Sequence, residues 1–498
     1  MKEIVYRMSS TLPPPIEVER HKAAISRNTL SRPTQLAIDS GLFEPNTSFF
    51  DYGCGRGTDV SLISQLGYSS AGWDPYFSPS SPREAADIVN IGYVINVIES
   101  VNERKAALLA AWSLTKKVLI VAAQILVGNH SNAIFSYNDG IITSRNTFQK
   151  YYEQQELKTY IDETLQVDSA PVGPGVYFVF RDETLAQKFR AARFYSRTSA
   201  PKVRTKVKSF EDYKDLLSPL MDFVAERGRL PLQGELSSEK EICSEFSNFT
   251  RAFSLIQQAT NKDEWDAISE KHKQDLLVYI ALSKFGQRPK FAVLPLELQN
   301  DIKVFFTNYK QACETADQML FSLRDMEALK AKCKSSKIGK LVNDSLYVHV
   351  SAIEALDPKL RLYEGCASRA FGRMDGATLV KFRIDKPKIS YLFYPDFDSD
   401  PHPALYGSMQ IDFLDLTCAY RDYSSSLNPV VLHRKETFVT EDYPLHSKFA
   451  RLSQQEEKWG LLDNPSSIGT RRGWQERLKE KSAELRGHRL IRTKKVSS

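Results

Sequence analysis

Apolar residues follow two rhythms along the first 180 positions of this chain. Ser48-Phe49-Phe50-Asp51-Tyr52, Ala86-Asp87-Ile88-Val89-Asn90-Ile91 and Lys117-Val118-Leu119-Ile120-Val121-Ala122-Ala123 are short, nearly continuous apolar runs, the pattern of strands buried on both faces of a parallel sheet. Between them, apolar positions return every three or four residues: Val60, Ile63 and Leu66 first, then Ala106, Leu108, Leu109 and Trp112. That spacing predicts amphipathic helices. Gly67 stops the first, and Tyr68 to Asp74 then reads as a short strand. Phe148 to Leu165 reads as a further helix after a polar stretch that reaches Thr147, and Gly173-Pro174-Gly175 turns into a last strand over Val176 to Arg181. Alternating strands and helices predict a doubly wound α/β domain over residues 1–184.

The pattern changes twice afterwards. Residues 185–335 are helical in period, and Ile302, Phe305, Phe306, Tyr309, Ala312, Ala316, Met319, Leu320 and Leu323 predict one long helix with a core-facing stripe. Residues 336–498 read as an α+β domain. Thr378 to Ile384 and Lys388 to Tyr394 flank Asp385-Lys386-Pro387 as a hairpin, with further strands around Met409 to Phe413 and Thr417 to Tyr420.

The first strand runs into Asp51-Tyr52-Gly53-Cys54-Gly55-Arg56-Gly57-Thr58, and the glycine spacing separates two cofactor classes. A dinucleotide fingerprint needs Gly-x-Gly-x-x-Gly, and the sixth position from Gly53 is Thr58. The spacing present is the one used by S-adenosylmethionine (SAM)-dependent methyltransferases, where glycines let the backbone pass close to the cofactor. Asp51, Gly53, Cys54, Gly55 and Gly57 are therefore the candidate cofactor loop, with Cys54 contributing a small side chain. Asp74, at the carboxyl end of the second strand, is placed to accept from ribose hydroxyls; the alternative is a strand-ending turn at Asp74-Pro75. Ligands of such sheets sit beyond the strands' carboxyl ends, so Gly92, Tyr93 and Asn96 fall where a methyl acceptor should lie, Tyr93 and Asn96 being the candidate catalytic pair. A tight strand-helix junction explains them equally well. Upstream, His21, Lys22 and Arg27 are candidates to meet the methionine carboxylate or a substrate phosphate, or else form a basic surface helix.

Composition narrows the remaining classes. A hydrophobic share of 42% in 498 residues supports ordinary buried cores, about three domains' worth. No run of about 18 apolar residues and no basic-then-apolar leader pattern is present, so a soluble, cytoplasmic protein without a membrane partner is expected. Six cysteines with no Cys-x-x-Cys pair indicate neither a zinc site nor a disulfide framework. The net charge of +6 is uneven: between Lys188 and Lys208 stand eight basic residues and no acidic one, interleaved with Phe189, Phe194 and Tyr195. That suits phosphates and stacked bases, or equally a solvated linker; the basic C-terminal segment from Arg471 to Lys495 also carries Glu476, Glu480 and Glu484. Tyr394-Pro395-Asp396-Phe397-Asp398-Ser399-Asp400-Pro401-His402-Pro403 fails as a calcium loop, with Pro401 at the sixth position and Gly407 at the twelfth. It reads as a Pro-rich turn with exposed acids, a hard-metal or nuclease-like site being the other reading, and no metal ligand is assigned.

Taken together, the chain resembles the DNA phosphorothioation-associated methyltransferases, a family of class I SAM-dependent enzymes with a Rossmann-like domain. The resemblance runs over nearly the whole length. It rests on His21-Lys22-Ala23-Ala24-Ile25-Ser26-Arg27, the Asp51 to Gly57 loop, Gly92-Tyr93-Val94-Ile95-Asn96-Val97-Ile98-Glu99 and Thr147-Phe148-Gln149-Lys150. It continues through Arg227-Gly228-Arg229-Leu230-Pro231, the Tyr394 to Pro403 segment and His433-Arg434-Lys435-Glu436-Thr437. What it implies is a SAM-dependent enzyme of a bacterial system that places sulfur in the DNA backbone, with DNA and other proteins of that system as partners.

The residues restrict this implication. Exocyclic-amine methylation uses Asp/Asn-Pro-Pro-Tyr/Phe where this chain has Asn90-Ile91-Gly92-Tyr93, and no Pro-Cys nucleophile for cytosine-C5 chemistry stands nearby. No third strand is legible between Asp74 and Asp87. Two readings follow: a methyltransferase acting on nucleic acid, or a SAM-binding or degenerate module that docks DNA or partner proteins without methylating a base.

Overall fold

A computed structural model describes residues 18–492 apart from 26, 126–132, 195–199, 202–207 and 373–375. The chain gathers into two compact units, Met1–Val167 with Gly175–Arg181, and Asp168–Pro174 with Asp182–Ser498. Through residue 181 the elements are α1 (Arg32–Asp39), β1 (Ser48–Tyr52), α2 (Thr58–Gln65), β2 (Ser69–Trp73), β3 (Ala86–Gly92), α3 (Val101–Leu114), β4 (Thr115–Ala122), β5 (Ala133–Tyr137), β6 (Gly140–Thr143), β7 (Phe148–Gln149), α4 (Gln154–Leu165), β8 (Ala170–Gly173) and β9 (Val176–Phe180).

The first unit is mixed α/β around a parallel sheet. Its strands lie in the order β2-β1-β3-β4-β9, the first four parallel and β9 antiparallel to β4. Phe50, Val89, Ile91, Leu119, Val121, Tyr177 and Val179 make one buried face with Leu108 and Ala111 of α3 and Leu157 and Ile161 of α4. The continuous apolar runs are strands because both sheet faces exclude water. β1 is the switch point, since α2 carries the chain from it to β2 on one side while β3 pairs with it on the other.

Two expectations here need correction. The helix expected from Phe148 starts at Gln154, because Phe148 pairs with Ile142 as β7 and Glu153 forms a capping box with Glu156. The polar stretch before it holds the β5-β6 hairpin, which turns on Asn138 at φ +49° and Asp139 between Tyr137 and Gly140. Between Asp74 and Ala86 the described chain forms no third strand, only a turn closed by an Asp74–Ser78 bridge.

The second unit holds α5 (Glu183–Ala192), α6 (Lys208–Arg227), α7 (Glu239–Phe246), α8 (Phe249–Ala259), α9 (Lys262–Leu282), α10 (Leu296–Phe305), α11 (Tyr309–Phe321) and α12 (Met326–Ser335). The single long helix expected from Ile302 to Leu323 is two. Asn308, extended at φ −163°, accepts the Gln311 N–H at 2.9 Å and caps α11, so the stripe continues across a break. Then follow β10 (Lys340–Val342), β11 (Ser345–His349), α13 (Pro358–Phe371), β12 (Leu379–Arg383), β13 (Lys388–Phe393), β14 (Gly407–Asp412) and β15 (Thr417–Asp422), the six strands forming one antiparallel meander in chain order. The hairpin at Asp385-Lys386-Pro387 is β12-β13, with Phe382 opposite Ile389. Val380, Phe382, Ile389 and Tyr391 of this sheet bury against Leu360, Tyr363, Ala367 and Phe371 of α13. The chain closes with α14 (His446–Lys458), α15 (Pro465–Ile468), α16 (Arg471–Glu480), β16 (Ala483–Leu485) and β17 (Leu490–Arg492). Among the described residues no helix is long and apolar enough to cross a membrane.

A buried ion pair joins α9 to α13 in this unit. Arg361 on α13 donates to Asp275 on α9 and, at 2.8 Å, to the carbonyl of Phe194. Both side chains are buried, so losing one partner leaves the other's charge in a low-dielectric interior. Arg361→Met is expected to cost about 3–5 kcal/mol, read as a lower urea midpoint. Arg361→Lys keeps the charge without the guanidinium fork and should recover only part of the loss.

Candidate cofactor site at the switch point of the sheet

The turn from β1 into α2 is built on three left-handed glycines, Gly53 at φ +85°, Gly55 at +53° and Gly57 at +73°. A Cβ on Gly53 would stand 2.5 Å from Val94 Cγ2, and one on Gly55 would stand 3.3 Å from Ala24 Cβ. Only glycine fits this turn on both counts. The Gly53 and Cys54 N–H groups both donate to the Trp73 carbonyl, at 2.8 and 3.1 Å, which fastens the loop to the end of β2.

A polar cleft of about 340 Å³ opens over this turn. Its floor is Asp51, Gly53, Cys54, Asn90 and Gly92; its walls are Thr58 and Asp59 of α2 and Ile25, Arg27 and Ser31 of the N-terminal segment. That segment is a strap held at both ends. At one end Arg20 donates to Glu99 at 2.8 and 2.9 Å and to Glu103 at 2.7 Å. At the other, buried Asp59 accepts the Ser31 N–H at 2.8 Å, the Thr34 hydroxyl at 2.9 Å and the Ser31 hydroxyl.

The floor of the cleft is electrostatically unfinished. Asp51 is 6% exposed and accepts one bond, 2.8 Å from Asn90 Nδ2. Burial, and then the nearby Asp59 charge, push its pKa from 3.8 up to about 7, against the opposing pull of the Asn90 bond and of Arg27. The other amide atom of Asn90, Oδ1, is buried and has no partner. A carboxylate and an amide oxygen thus face the cleft short of donors, with the guanidinium of Arg27 in the same wall.

The expected site residues divide into two groups. Asp51, Gly53 and Cys54 line the cleft; burial pushes the Cys54 thiol up to about 12, so it is a packing residue and no nucleophile. Gly55, Gly57 and Asp74 shape it from behind. Asp74 Oδ2 accepts the Gly55 N–H at 3.0 Å while Oδ1 accepts the Tyr76 and Phe77 N–H groups at 2.9 Å, so this carboxylate forms the strand-ending turn and also holds the glycine loop. Arg27 is in the wall, His21 stacks on Tyr76 with centroids 4.1 Å apart, and Lys22 pairs with Glu19 within the strap. Tyr93 and Asn96 lie beyond β3 and are not part of the cleft lining. Tyr93 is half-buried at φ +62°, an uncommon conformation for a bulky residue, and its N–H donates to the Ala122 carbonyl at 2.8 Å. Asn96 is buried with Oδ1 unpartnered, and it does not cap α3, since Ser100 does that by accepting the Glu103 N–H. Asn90, Asp59 and Ser31 were not legible as site residues, because their roles come from pairing β3 beside β1 and from folding the strap across α2.

No protein-family model and no curated protein matches this chain. Among solved structures it is similar to the Burkholderia thailandensis 1,6-didemethyltoxoflavin-N1-methyltransferase with bound S-adenosylhomocysteine, at 13% identity and TM-score 0.23, over 30% of this chain and 76% of that one. A SAM-bound amino pentose methyltransferase of calicheamicin biosynthesis from Micromonospora echinaspora matches at 14% identity and TM-score 0.21, over 30% and 89%. A sugar N-methyltransferase from a Streptoalloteichus species matches at 11% identity and TM-score 0.25, over 36% and 99%.

Asp51 makes the stability of the unliganded protein depend on pH. Its carboxyl titrates near 3.8 when unfolded and near 7 when folded, so between these values the folded state holds the extra proton and stability falls as pH rises, by up to roughly 4 kcal/mol. Below 3.8 this stabilisation is fully present, and above 7 it is lost. Asp51→Asn should flatten the decline of the urea midpoint between pH 5 and 7.5 relative to the unsubstituted protein.

Proposed function

We propose that this protein is a SAM-dependent methyltransferase acting on nucleic acid in a bacterial DNA phosphorothioation system. The observation that carries the cofactor assignment is the under-satisfied floor of the cleft: Asp51 and the orphaned Asn90 Oδ1 suit an ammonium, and Arg27 in the facing wall suits a carboxylate, which together complement an amino-acid zwitterion. Asp74, at the end of β2, keeps lone pairs beyond its three backbone bonds and is the acceptor for ribose hydroxyls. Bound there, SAM supplies a methyl group activated on a sulfonium.

The protein's part is positioning and electrostatics. The glycine turn admits the cofactor chain against the backbone, and the N-terminal segment carries Arg27 into the cleft wall. Tyr93 and Asn96, just past β3, hold the acceptor: the ring stacks on a planar base, and the amide, whose buried Oδ1 has no partner, meets its polar edge. Support for nucleic acid as acceptor is the resemblance to the phosphorothioation-associated family together with the basic stretch from Lys188 to Lys208. Within that stretch Arg190 pairs with Asp168 and Glu183, and Arg193 donates to the Pro171 carbonyl. Arg197, Lys202, Arg204 and Lys206 lie outside the described residues.

A second reading, a SAM-binding module that docks DNA or partner proteins without methylating a base, draws on the same region. Asn90, which begins the segment that replaces Asn-Pro-Pro-Tyr, turns its amide to Asp51 and away from any acceptor. Mass spectrometry of nucleosides and proteins from cells with and without this gene separates the two readings, a new methyl mark on nucleic acid supporting the first and its absence the second.

The cofactor assignment has its own test. Gly55→Val puts a branched side chain at φ +53° against Ala24, and Asp74→Ala removes both the ribose acceptor and the anchor of the Gly55 N–H. Calorimetry on variants that melt near the parent is expected to give SAM affinity at least about tenfold weaker in each. Unchanged affinity in both would withdraw the assignment.

On the acceptor side, Tyr93→Ala and Asn96→Ala should keep SAM affinity within about threefold while methyl transfer falls by about 100-fold or more, the signature of an interaction made only with the reacting acceptor. Full transfer by both folded variants would remove them from the site.

A further inference from the structure

The Asp396 to Pro403 segment does not use its acids as a metal loop. Asp400 Oδ1 accepts the His402 N–H at 2.8 Å, and Asp398 Oδ1 accepts the Tyr443 hydroxyl at 2.7 Å. His402 instead turns inward, 5% exposed, and meets two residues far along the chain. The Leu432 N–H donates to the Pro403 carbonyl at 3.1 Å, which sets His433 beside His402 with ring centroids 4.4 Å apart. Glu456, fully buried on α14, closes the group, and Trp474 of α16 covers it, 4.4 Å from His402 and 4.6 Å from His433.

The hydrogen bonds decide which atoms carry protons. His402 Nδ1 lies 2.9 Å from the Leu432 carbonyl and His433 Nε2 lies 2.9 Å from the Ile468 carbonyl. Carbonyls only accept, so both of these ring nitrogens bear hydrogen. The opposite nitrogen of each neutral ring then presents a lone pair to the cluster. His402 Nε2 faces Glu456 Oε1 at 2.7 Å, while His433 Nδ1 and Glu456 Oε2 are buried with no partner at all. A proton shared between His402 and Glu456 satisfies one contact and leaves two lone pairs stranded.

Among the described residues no side-chain cation hydrogen-bonds to either stranded atom; Lys340 acts on His433 only through its charge. The Lys435 ammonium is committed to the Phe397 and Asp400 carbonyls at 2.6 Å and to His488 at 3.0 Å, and Arg434 pairs with Glu457. Glu436, a half-buried acid of this region, takes the Ser453 hydroxyl. A single divalent cation would engage both of these stranded acceptor atoms, though not the Trp474 indole N–H, which is buried without a partner above them. One donor atom from each of the three residues falls within 4.8 Å of the other two. A tetrahedral ion with bonds of about 2.0–2.2 Å needs its ligands about 3.4 Å apart, between the 2.7 Å contact and the 4.8 Å outer limit. Each imidazole already gives its other N–H to a backbone carbonyl, the arrangement that orients ligating histidines. Two imidazole nitrogens with one carboxylate select a borderline transition metal over calcium or magnesium, which take all-oxygen sites.

We propose that His402, His433 and Glu456 bind one divalent transition-metal ion of the zinc class, which fastens the Asp396 to Pro403 segment, the His433 segment and α14 to one another under Trp474. The ion is structural, since the donor atoms His433 Nδ1 and Glu456 Oε2 that would hold it are buried. The proposal is independent of the methyl-transfer reading.

The test uses the full chain, purified without metal-affinity resin, stripped with a chelator and dialysed. Added Co²⁺ should produce the visible ligand-field bands of a four- or five-coordinate site, saturating at one equivalent, and Zn²⁺ should abolish them. One equivalent of Zn²⁺ should also raise the melting temperature of the stripped protein by several degrees. In His433→Gln and Glu456→Gln the bands and the Zn²⁺-induced shift should be lost. Stripped unsubstituted protein that gives neither bands nor a shift overturns the site, whether or not the variants fold; full retention of both signals by folded variants overturns the ligand assignment.

Discussion

The first unit depends on how three carboxylates are accommodated around one turn. Asp51, Asp59 and Asp74 crowd the junction of β1, α2 and β2, and the charges of the latter two both oppose ionisation of Asp51. Two of the three are supplied with donors by the fold: Asp59 by Ser31 and Thr34, Asp74 by the backbone of Gly55, Tyr76 and Phe77. Those bonds hold the strap over the cleft and the glycine loop against β2. Asp51 receives only the Asn90 amide. The shortage of donors is concentrated where the strand order reverses.

The same logic recurs in the second unit with the opposite outcome in one place and a like outcome in another. Asp275 and Arg361 are a matched pair, charge against charge, and they join α9 to α13. Glu456, equally buried, has an imidazole for a partner, and one of its oxygens is left over beside the bare nitrogen of His433. A buried polar group without a partner is costly, and here two such acceptors lie within one cluster, where a single bound ion would satisfy both. The two sites differ in setting: the Asp51 cleft is lined by the glycine turn, β3 and the N-terminal segment, while the His402 cluster lies under Trp474.

Much of the framework was legible in the sequence because its causes are local. Continuous apolar runs mark β1, β3 and β4 since both faces of a parallel sheet are dry, and the Gly53, Gly55, Gly57 spacing marks the turn since no other residue takes those backbone angles so cheaply. The β12-β13 hairpin follows from alternation around Asp385-Lys386-Pro387. Where a local signal was overridden, a single side chain explains it: Asn308 divides the helix expected from Ile302 to Leu323, and Glu153 postpones the one expected from Phe148.

What the tertiary structure alone decided is which polar atoms go unpaired. Asn90 is an ordinary strand residue until β3 lies beside β1 and sends its amide to Asp51, leaving Oδ1 bare. Asp74 forms the strand-ending turn and, through its other oxygen, also holds the Gly55 N–H, a bond that only the packing of the glycine loop against β2 creates. His402, His433 and Glu456 share no spacing that a motif could register; they meet through a backbone bond between Pro403 and Leu432 and the packing of α14. Sequence determines the elements and the turn that must be glycine, since these depend on backbone angles and short-range periodicity. Sites made of partners distant along the chain depend on donor and acceptor counts that exist only once the interior is closed to water.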